Sequence, residues 1–371
     1  MRTFLFALGA IIVALTAAGV LFVLVLPRRP RGIERLSLYI LAAVRLTFAA
    51  ISRFGRTFEG KDSILSPIGP VYLVVQLLSW AGGFILGFAL MLNATTHNFP
   101  LALLQATTSL FTVGGVHAGG PENLAIDIVA GATWVVVVTL QIAYLPSLYA
   151  SFNKREGLIA MLESRSAVPA WGPEILARHQ NVGITDTLPE LYASWEQWSA
   201  DLAESHTTYP VLMFFRSPEA WYSWLIGLLA VLDAAAMQLA LAPTAASSQA
   251  RLCLRMGFTA LNRIALTLGW HVNPDPSPTG PIQLSFEEFE RAVVMLDATS
   301  FAMERSAEEA WPDFVGWRVN YEAVAYRLAD LTEAPPAPWS GTRRHLNVKT
   351  ESPHRPPQRT PRGFSHGGRH D

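Results

Sequence analysis

Residues 100–120 read PLALLQATTSLFTVGGVHAGG, an apolar run that passes into a glycine-rich one. The first twelve residues favour a helix of about three turns, which Asn98 is placed to cap and whose first turn suits Pro100. At ~1.5 Å per residue this helix is ~18 Å long, too short to cross a hydrocarbon layer of ~30 Å. Non-helical backbone at membrane depth is tolerated only where it is buried in protein or lines water. We therefore predict a helix that enters the membrane halfway and is followed by a loop.

Two apolar segments, 71–92 and 124–148, flank this stretch and are each long enough to cross a bilayer. The connector between them, residues 93–123, contains no lysine or arginine, whereas Lys154 and Arg155 follow the second segment. Because positive residues concentrate on the cytoplasmic side of a membrane, the connector is predicted outside and the rest of the chain in the cytoplasm. The expected location is a bacterial inner membrane, crossed more than once.

The N-terminal unit, residues 1–26, is predicted to be a transmembrane anchor. Residues 4–26 carry no charge and no proline, and as a helix of ~35 Å they would span the membrane. A cleaved signal peptide is the alternative, but its apolar region is usually only about 7 to 15 residues long. We therefore expect a retained anchor whose N-terminus lies outside.

The next unit, residues 27–69, is basic and is expected at the cytoplasmic face. Within it, residues 36–51 are apolar but short and include Arg45, which favours an interfacial helix beneath anionic headgroups over a crossing segment. Its basic residues outnumber its three acids and are Arg28, Arg29, Arg31, Arg35, Arg45, Arg53, Arg56 and Lys61.

The amino-acid composition also indicates a membrane protein. The 371 residues are 51% hydrophobic and only 15% charged, whereas soluble domains carry about 25% charged residues. The net charge of −1 gives no support for a nucleic-acid partner. The single cysteine, Cys253, excludes a disulfide within the chain, and its apolar neighbours predict a buried, inert thiol.

The unit 70–150 resembles the pore-loop potassium-channel superfamily, in which a short pore helix and a filter lie between an outer and an inner helix. Thr112, Val113 and Gly114 match the first three positions of that family's Thr-Val-Gly-Tyr-Gly filter, while Gly115 replaces the aromatic residue and Val116 the second glycine. In that family the filter oxygens replace the hydration shell of K⁺. The resemblance implies conduction of a monovalent cation such as K⁺, with no resident cofactor.

One pore segment per chain means that a central path requires several copies, and the resemblance implies a homotetramer. The two departures, Gly115 and Val116, keep a second hypothesis open: a non-conducting, membrane-anchored scaffold or sensor with pore-derived architecture. A membrane-tethered enzyme is a third possibility, but the sequence shows no nucleotide-binding, zinc or nucleophile motif, and we predict no enzymatic activity.

Two residues of the inner helix are gate or hinge candidates. Pro146 deprives a helix of one hydrogen bond and is expected either to kink it at the cytoplasmic mouth or simply to end it. Gly131 is expected to supply a bend higher up. In the outer helix Ser79, Gly83 and Gly87 recur every four residues, a spacing that lets helices approach closely in lipid, although ordinary membrane-helix glycine is the alternative.

The unit 151–333 is predicted to be a helical cytoplasmic domain. Within it, residues 220–241 are long enough for a further crossing, but Asp233 lies near their centre. The insertion free energies of the apolar residues and of a central aspartate nearly cancel, so we favour a buried helix. Asp233 should then have a buried partner, for which an arginine of the following helix is expected.

The remaining unit, residues 334–371, is rich in proline, arginine, histidine and glycine and has few bulky apolar residues. Such a segment buries too little surface to offset its ordering entropy, so a disordered tail is predicted.

Overall fold

A computed structural model describes residues 2–26 and 35–341. Every regular element in these two ranges is helical, which confirms the predicted all-α class. Arg28, Arg29 and Arg31 lie outside the described residues. The α-helices are α1 Arg2–Leu24, α2 Arg35–Ser52, α3 Phe58–Leu65, α4 Ile68–Thr96, α5 Phe99–Leu110, α6 Pro121–Leu162, α7 Gly172–Val182, α8 Leu188–Thr208, α9 Trp224–Leu241, α10 Ser248–Thr267, α11 Phe286–Asp297, α12 Ala307–Arg318 and α13 Glu322–Thr332.

Four helices of the described chain are long and apolar enough to cross a membrane: α1, α4 in one run with α3, α6 and α9. In α1 and α6 most of the apolar surface is uncovered, as expected of helices that face lipid. These helices make the chain a membrane protein.

Helices α1 and α4 run antiparallel in close contact, and glycine makes the contact possible. A methyl group placed at Gly87 would lie 2.7 Å from Val13 Cγ2 and 3.0 Å from the carbonyl oxygen of Gly9. One placed at Gly83 would lie 2.6 Å from Thr16 Oγ1. Gly83 and Gly87, two members of the predicted small-residue series, therefore lie where the backbones approach most closely.

We expect Gly87→Leu to lower the free energy of unfolding of the full-length protein by about 1–3 kcal/mol, because the added side chain separates α1 from α4. Gly82→Leu is the matched control, since a methyl group at Gly82 meets nothing within 4 Å. Unfolding in detergent measures both. Equal shifts in the two variants would contradict the proposed contact.

The apolar core is divided into two clusters along the membrane helices. One lies among α1, α4, α5 and α6 and includes Phe84, Phe88, Leu92 and Ala130. The other surrounds α9 and also takes in the first turns of α4 and the last turns of α6, such as Tyr72. The domain built around α9 is thus attached at one end of the membrane helices, opposite the end that carries α5.

Helix α9 is buried along its entire length by other parts of the chain, as expected of a helix that is apolar all round. The partner predicted for Asp233 is wrong, however. The carboxylate accepts hydrogen bonds from Arg318 of α12 and from the hydroxyl of Tyr321 at 2.8 Å, and not from an arginine of α10.

Helix α6 continues through Pro146 as far as Leu162, so it crosses the boundary predicted at residue 150 without a break. The expectation that Pro146 simply ends the helix fails for the same reason. Beyond Pro146, Leu148, Arg155 and Ile159 are buried in the domain around α9, and this packing offsets the hydrogen bond that proline removes.

The predicted tail begins too early. Ala334, Ala337 and Trp339 are buried, and the Trp339 carbonyl accepts a hydrogen bond of 2.8 Å from Arg318. Residues 334–341 therefore belong to the core of the α9 domain, whereas 342–371, the rest of the predicted tail, lie outside the described residues.

Candidate pore-loop site

Helix α5 lies between α4 and α6, beginning where α4 ends. The side chain of Asn98 accepts a hydrogen bond of 3.2 Å from the amide of Leu101, and Pro100 occupies the first turn, both as predicted. Ala102, Ala106 and Leu110 are buried in the cluster shared with α4 and α6. This small-residue face holds α5 close to its neighbours.

The C-terminal end of α5 reaches far along α6. A methyl group placed at Gly131 would lie 3.2 Å from the carbonyl oxygen of Ser109, and the Phe111 ring meets Trp134 edge-on at 5.3 Å. Gly131 is ten residues after Pro121, which corresponds to ~15 Å along the helix. The chain thus runs from the end of α4 back along about the first quarter of α6. Gly131 provides space for this end of α5.

Residues 112–115, the predicted filter, turn sharply at the end of α5. Thr112, Gly114 and Gly115 have φ values of 57°, 69° and 92°. The amides of Val113 and Gly114 both donate to the carbonyl oxygen of Thr108, at 2.9 and 3.3 Å. Glycine adopts such angles without strain, but a β-branched residue such as Thr112 does so rarely, and strained backbone of this kind is concentrated at functional sites.

The predicted filter is also uncovered within the protomer. Residues 111–115 are exposed, Val113 to 77%, and a methyl group at Gly114 or Gly115 would meet nothing within 4 Å. An apolar side chain this exposed, at the level of Gly131 in the apolar part of α6, must face lipid, a further protein chain or a water-filled path.

A polar cluster that the sequence analysis missed fastens the returning chain to α5 and α6. Asp127 of α6 accepts hydrogen bonds from Gln105 Nε2 and Ser109 Oγ, both at 2.8 Å, and its Oδ2 lies 3.0 Å from His117 Nδ1. Gln105 Oε1 in turn accepts from the amide of Ala118 at 3.2 Å. One carboxylate therefore ties two turns of α5 to the loop.

Asn123 extends this cluster to α4. Its Oδ1 accepts from Thr95 Oγ1, and its Nδ2 donates to the carbonyl of Ala118, both at 2.7 Å. Gln105 and Asn123 are fully buried, and each makes hydrogen bonds on both ends of its amide. A satisfied buried network of this kind fixes one conformation of the loop.

Helix α6 leaves one continuous face uncovered. Exposed residues recur along α6 at helical spacing on the side away from α4, and Pro146 lies on this face, whereas the second hinge candidate, Gly131, faces α5. The uncovered face is mostly apolar, with a hydroxyl group in its middle. Its members include Ala125, Ile128, Ala132, Val135, Val136, Thr139, Ile142, Ala143, Pro146 and Ser147.

At its C-terminal end α6 is fixed to the α9 domain by Arg155. The buried guanidinium donates to the carbonyls of Leu212 and Phe215, at 2.7 and 2.6 Å, at the end of the 3₁₀ turn Pro210–Phe214. His206 lies beside it, 3.4 Å away, and burial followed by the nearby Arg155 lowers the pKa of His206 well below its usual value. His206 is therefore neutral here and does not repel the guanidinium.

Phe215 and Arg216 connect this end of α6 to the start of α4. The Phe215 ring fills the space above Gly69 and meets Tyr149 and Phe152 at 5.8 and 5.7 Å. Arg216 pairs with Asp62 of α3. The α9 domain thus holds the start of α4 and the end of α6, the two helices that flank the loop.

The described residues contain no group of three or more histidine, cysteine, aspartate or glutamate side chains placed to hold a metal ion. Comparison of the chain with protein-family models, with curated proteins and with solved structures gives no match. The chain is therefore an all-helical membrane protein, and any assignment of its function depends on the geometry of the loop.

Proposed function

We propose that the chain is the pore-forming subunit of an oligomeric cation channel, with four copies around a central path. The observation that carries the proposal is the return of α5 along α6 as far as Gly131, ~15 Å from the start of α6 and about half of a ~30 Å hydrocarbon layer. It is followed by an exposed turn at Thr112–Gly115 whose glycines are required by φ and not by crowding. A half-length helix in this position delivers backbone and threonine oxygens to the inside of the bilayer, where they can replace the hydration shell of a cation.

Two further features support an oligomer. The exposed turn and the uncovered face of α6 lie on surfaces that the protomer itself does not cover. Copies of the chain arranged around an axis would cover part of these surfaces and leave the remainder to line a path. By the positive-inside rule, the α9 domain and residues 27–69 would lie in the cytoplasm, and the α5 loop would open to the outside of an inner membrane.

The direct test is reconstitution of the purified oligomer in liposomes, with K⁺, Na⁺ and Tl⁺ flux measured separately. We expect cation flux that depends on the protein and is absent from empty liposomes. A properly assembled oligomer that carries none of these ions would exclude conduction.

We expect Thr112→Gly to lower cation flux by about tenfold or more while the oligomer remains folded. Glycine removes the hydroxyl ligand but accepts the φ of 57° more readily than threonine does. The matched control is His97→Gly, because His97 also has a positive φ of 54° but lies outside the loop, at the C-terminal cap of α4. Flux that is unchanged in Thr112→Gly, or equally reduced in His97→Gly, would remove Thr112 from the permeation path.

Two observations favour the second candidate, a non-conducting scaffold or sensor of the same architecture. The amides of Val113 and Gly114 share the Thr108 carbonyl, as in a turn that ends a helix, and Val116 stands where the related filters have glycine. A scaffold needs the helix to end in this way but needs no axial path. Flux measurement separates the two candidates.

A further inference from the structure

The corner between α2 and α3, residues 53–57, carries two arginines, and the acids nearby in the chain are bonded to the α9 domain instead. Both acids of this region are engaged by the α9 domain: Asp62 pairs with Arg216, and Glu59 Oε1 accepts a hydrogen bond of 2.8 Å from Trp221 Nε1. The neighbouring arginines have no such partner. Within the described ranges, Arg53 and Arg56 are exposed and no carboxylate lies within ion-pair distance of either.

Apolar side chains lie beside these arginines on the solvent-exposed face of α2. Phe54, between Arg53 and Arg56, is 85% exposed, and Leu46 and Tyr39 on the preceding turns of α2 are 57% and 68% exposed. The opposite face of α2, which includes Leu41 and Val44, is buried in the cluster around α9. The rest of the described chain therefore leaves open the face of α2 that carries Tyr39 and Leu46.

The position of this face follows from the helices on which α2 packs. Leu41 and Val44 share their cluster with Ile68, Tyr72 and Leu73, which form the first turns of α4. Because α2 packs on α4 and α3 leads into it, the α2–α3 corner lies near the start of α4, where a spanning α4 would enter the bilayer. Its apolar side chains can reach acyl chains at that level, and its guanidinium groups can reach phosphate.

We propose that the α2–α3 corner binds an anionic phospholipid of the adjoining leaflet. Arg53 and Arg56 would hold the phosphate, and Phe54 and Leu46 would pack on the chains. Guanidinium groups suit phosphate because they donate two parallel hydrogen bonds. Asp62 is neutralised by Arg216, so Arg53 and Arg56 outnumber the one remaining carboxylate, that of Glu59, and the corner stays positive. The lipid would also touch α3, which precedes α4 and is bonded to the α9 domain through Asp62 and Glu59.

Native mass spectrometry of the full-length protein in detergent tests this site. Dioctanoyl phosphatidylglycerol is titrated against dioctanoyl phosphatidylcholine, and glycerol phosphate serves as a headgroup without chains. We expect a preference for phosphatidylglycerol that falls about 25-fold in Arg53→Gln/Arg56→Gln, at about fivefold for each charge near the surface. Phe54→Ser should weaken the binding of both lipids. The control Arg251→Gln/Arg255→Gln, which removes two exposed arginines of α10, should retain the wild-type preference.

Three outcomes would overturn the proposal. These are equal affinity of the wild type for the two lipids, the same loss in the α10 control, and displacement of phosphatidylglycerol by glycerol phosphate, which would indicate a free-anion site. A change of oligomeric state in Phe54→Ser without a change in lipid binding would reassign the face to a subunit contact. None of these measurements involves ion flux, so the lipid site and the channel can fail independently.

Discussion

Replacing Arg318 by methionine is expected to lower the free energy of unfolding of the α9 domain by about 3–5 kcal/mol, enough to unfold a domain of ordinary stability. Arg318 is 0% exposed and lies at the centre of the domain. It pairs with Asp233 and with Glu322, whose Oε1 is 2.9 Å from Arg318 Nε. Without the guanidinium, two carboxylates remain buried together with no cation, which is the costly arrangement.

The Arg318→Met variant should also release residues 334–341 from the core of the α9 domain. Arg318 Nη2 donates to the hydroxyl of Tyr326 and the carbonyl of Trp339, both at 2.8 Å, and the Trp339 ring lies 5.6 Å from the guanidinium carbon. Residues 334–341 are therefore expected to become sensitive to proteolysis. Chemical unfolding and limited proteolysis of the full-length protein in detergent measure the two effects.

An exposed ion pair provides the control for Arg318. Arg305 and Asp313 form a pair of 2.5 Å at the surface of the same domain, and Arg305→Met should cost less than about 1 kcal/mol because water screens such pairs. If Arg318→Met fails to fold, Arg318→Met combined with Asp233→Asn and Glu322→Gln should recover part of the lost stability. A cost for Arg318→Met no larger than that for Arg305→Met would show that the buried network is unimportant.

Hydropathy and capping were sufficient to predict most of the membrane half. The apolar runs that became α1, α4, α5 and α6 are set by chain length against bilayer thickness, and Asn98 caps α5 by a local hydrogen bond. Such features depend on neighbours in the sequence. Contacts between residues distant in the sequence were not predictable, since Arg318 lies 85 residues after Asp233. The amphipathic pattern of α10 does show that Arg251, Arg255 and Arg263 lie on its polar face, but it does not name the partner of Asp233.

The candidate site likewise has one part that the local sequence predicts and one part that depends on residues far apart in the chain. The positions of Thr112 to Gly115 followed from a short helix and a glycine-rich run. The cluster around Asp127 did not, because its members come from α5, the loop and α6. A signal was nonetheless present in the sequence, since Asp127 is the only charged residue between Glu122 and Lys154. An ionisable residue in a membrane helix is rare unless it has a partner and a role.

Asp127→Asn is expected to loosen the returning loop by about 1.5–3 kcal/mol, the contribution of hydrogen bonds to a charged group. An asparagine keeps one acceptor oxygen but presents N–H donors where Gln105 Nε2, Ser109 Oγ and His117 Nδ1 now surround a carboxylate. The amides of Val113, Gly114 and Ala118, each hydrogen-bonded to α5, should then exchange with solvent about 10- to 150-fold faster.

Hydrogen exchange of the full-length protein in detergent gives this measurement, with Glu122→Gln, in the exposed first turn of the same helix, as the control. Ser109→Ala removes one donor and should have an intermediate effect. Equal exchange in Asp127→Asn and Glu122→Gln would show that the carboxylate does not hold the loop. If exchange rises as expected, ion flux in the same variants separates the two candidate functions. A filter must keep its oxygens in place to replace a hydration shell, so a channel loses flux as the loop loosens, whereas a scaffold has no flux to lose.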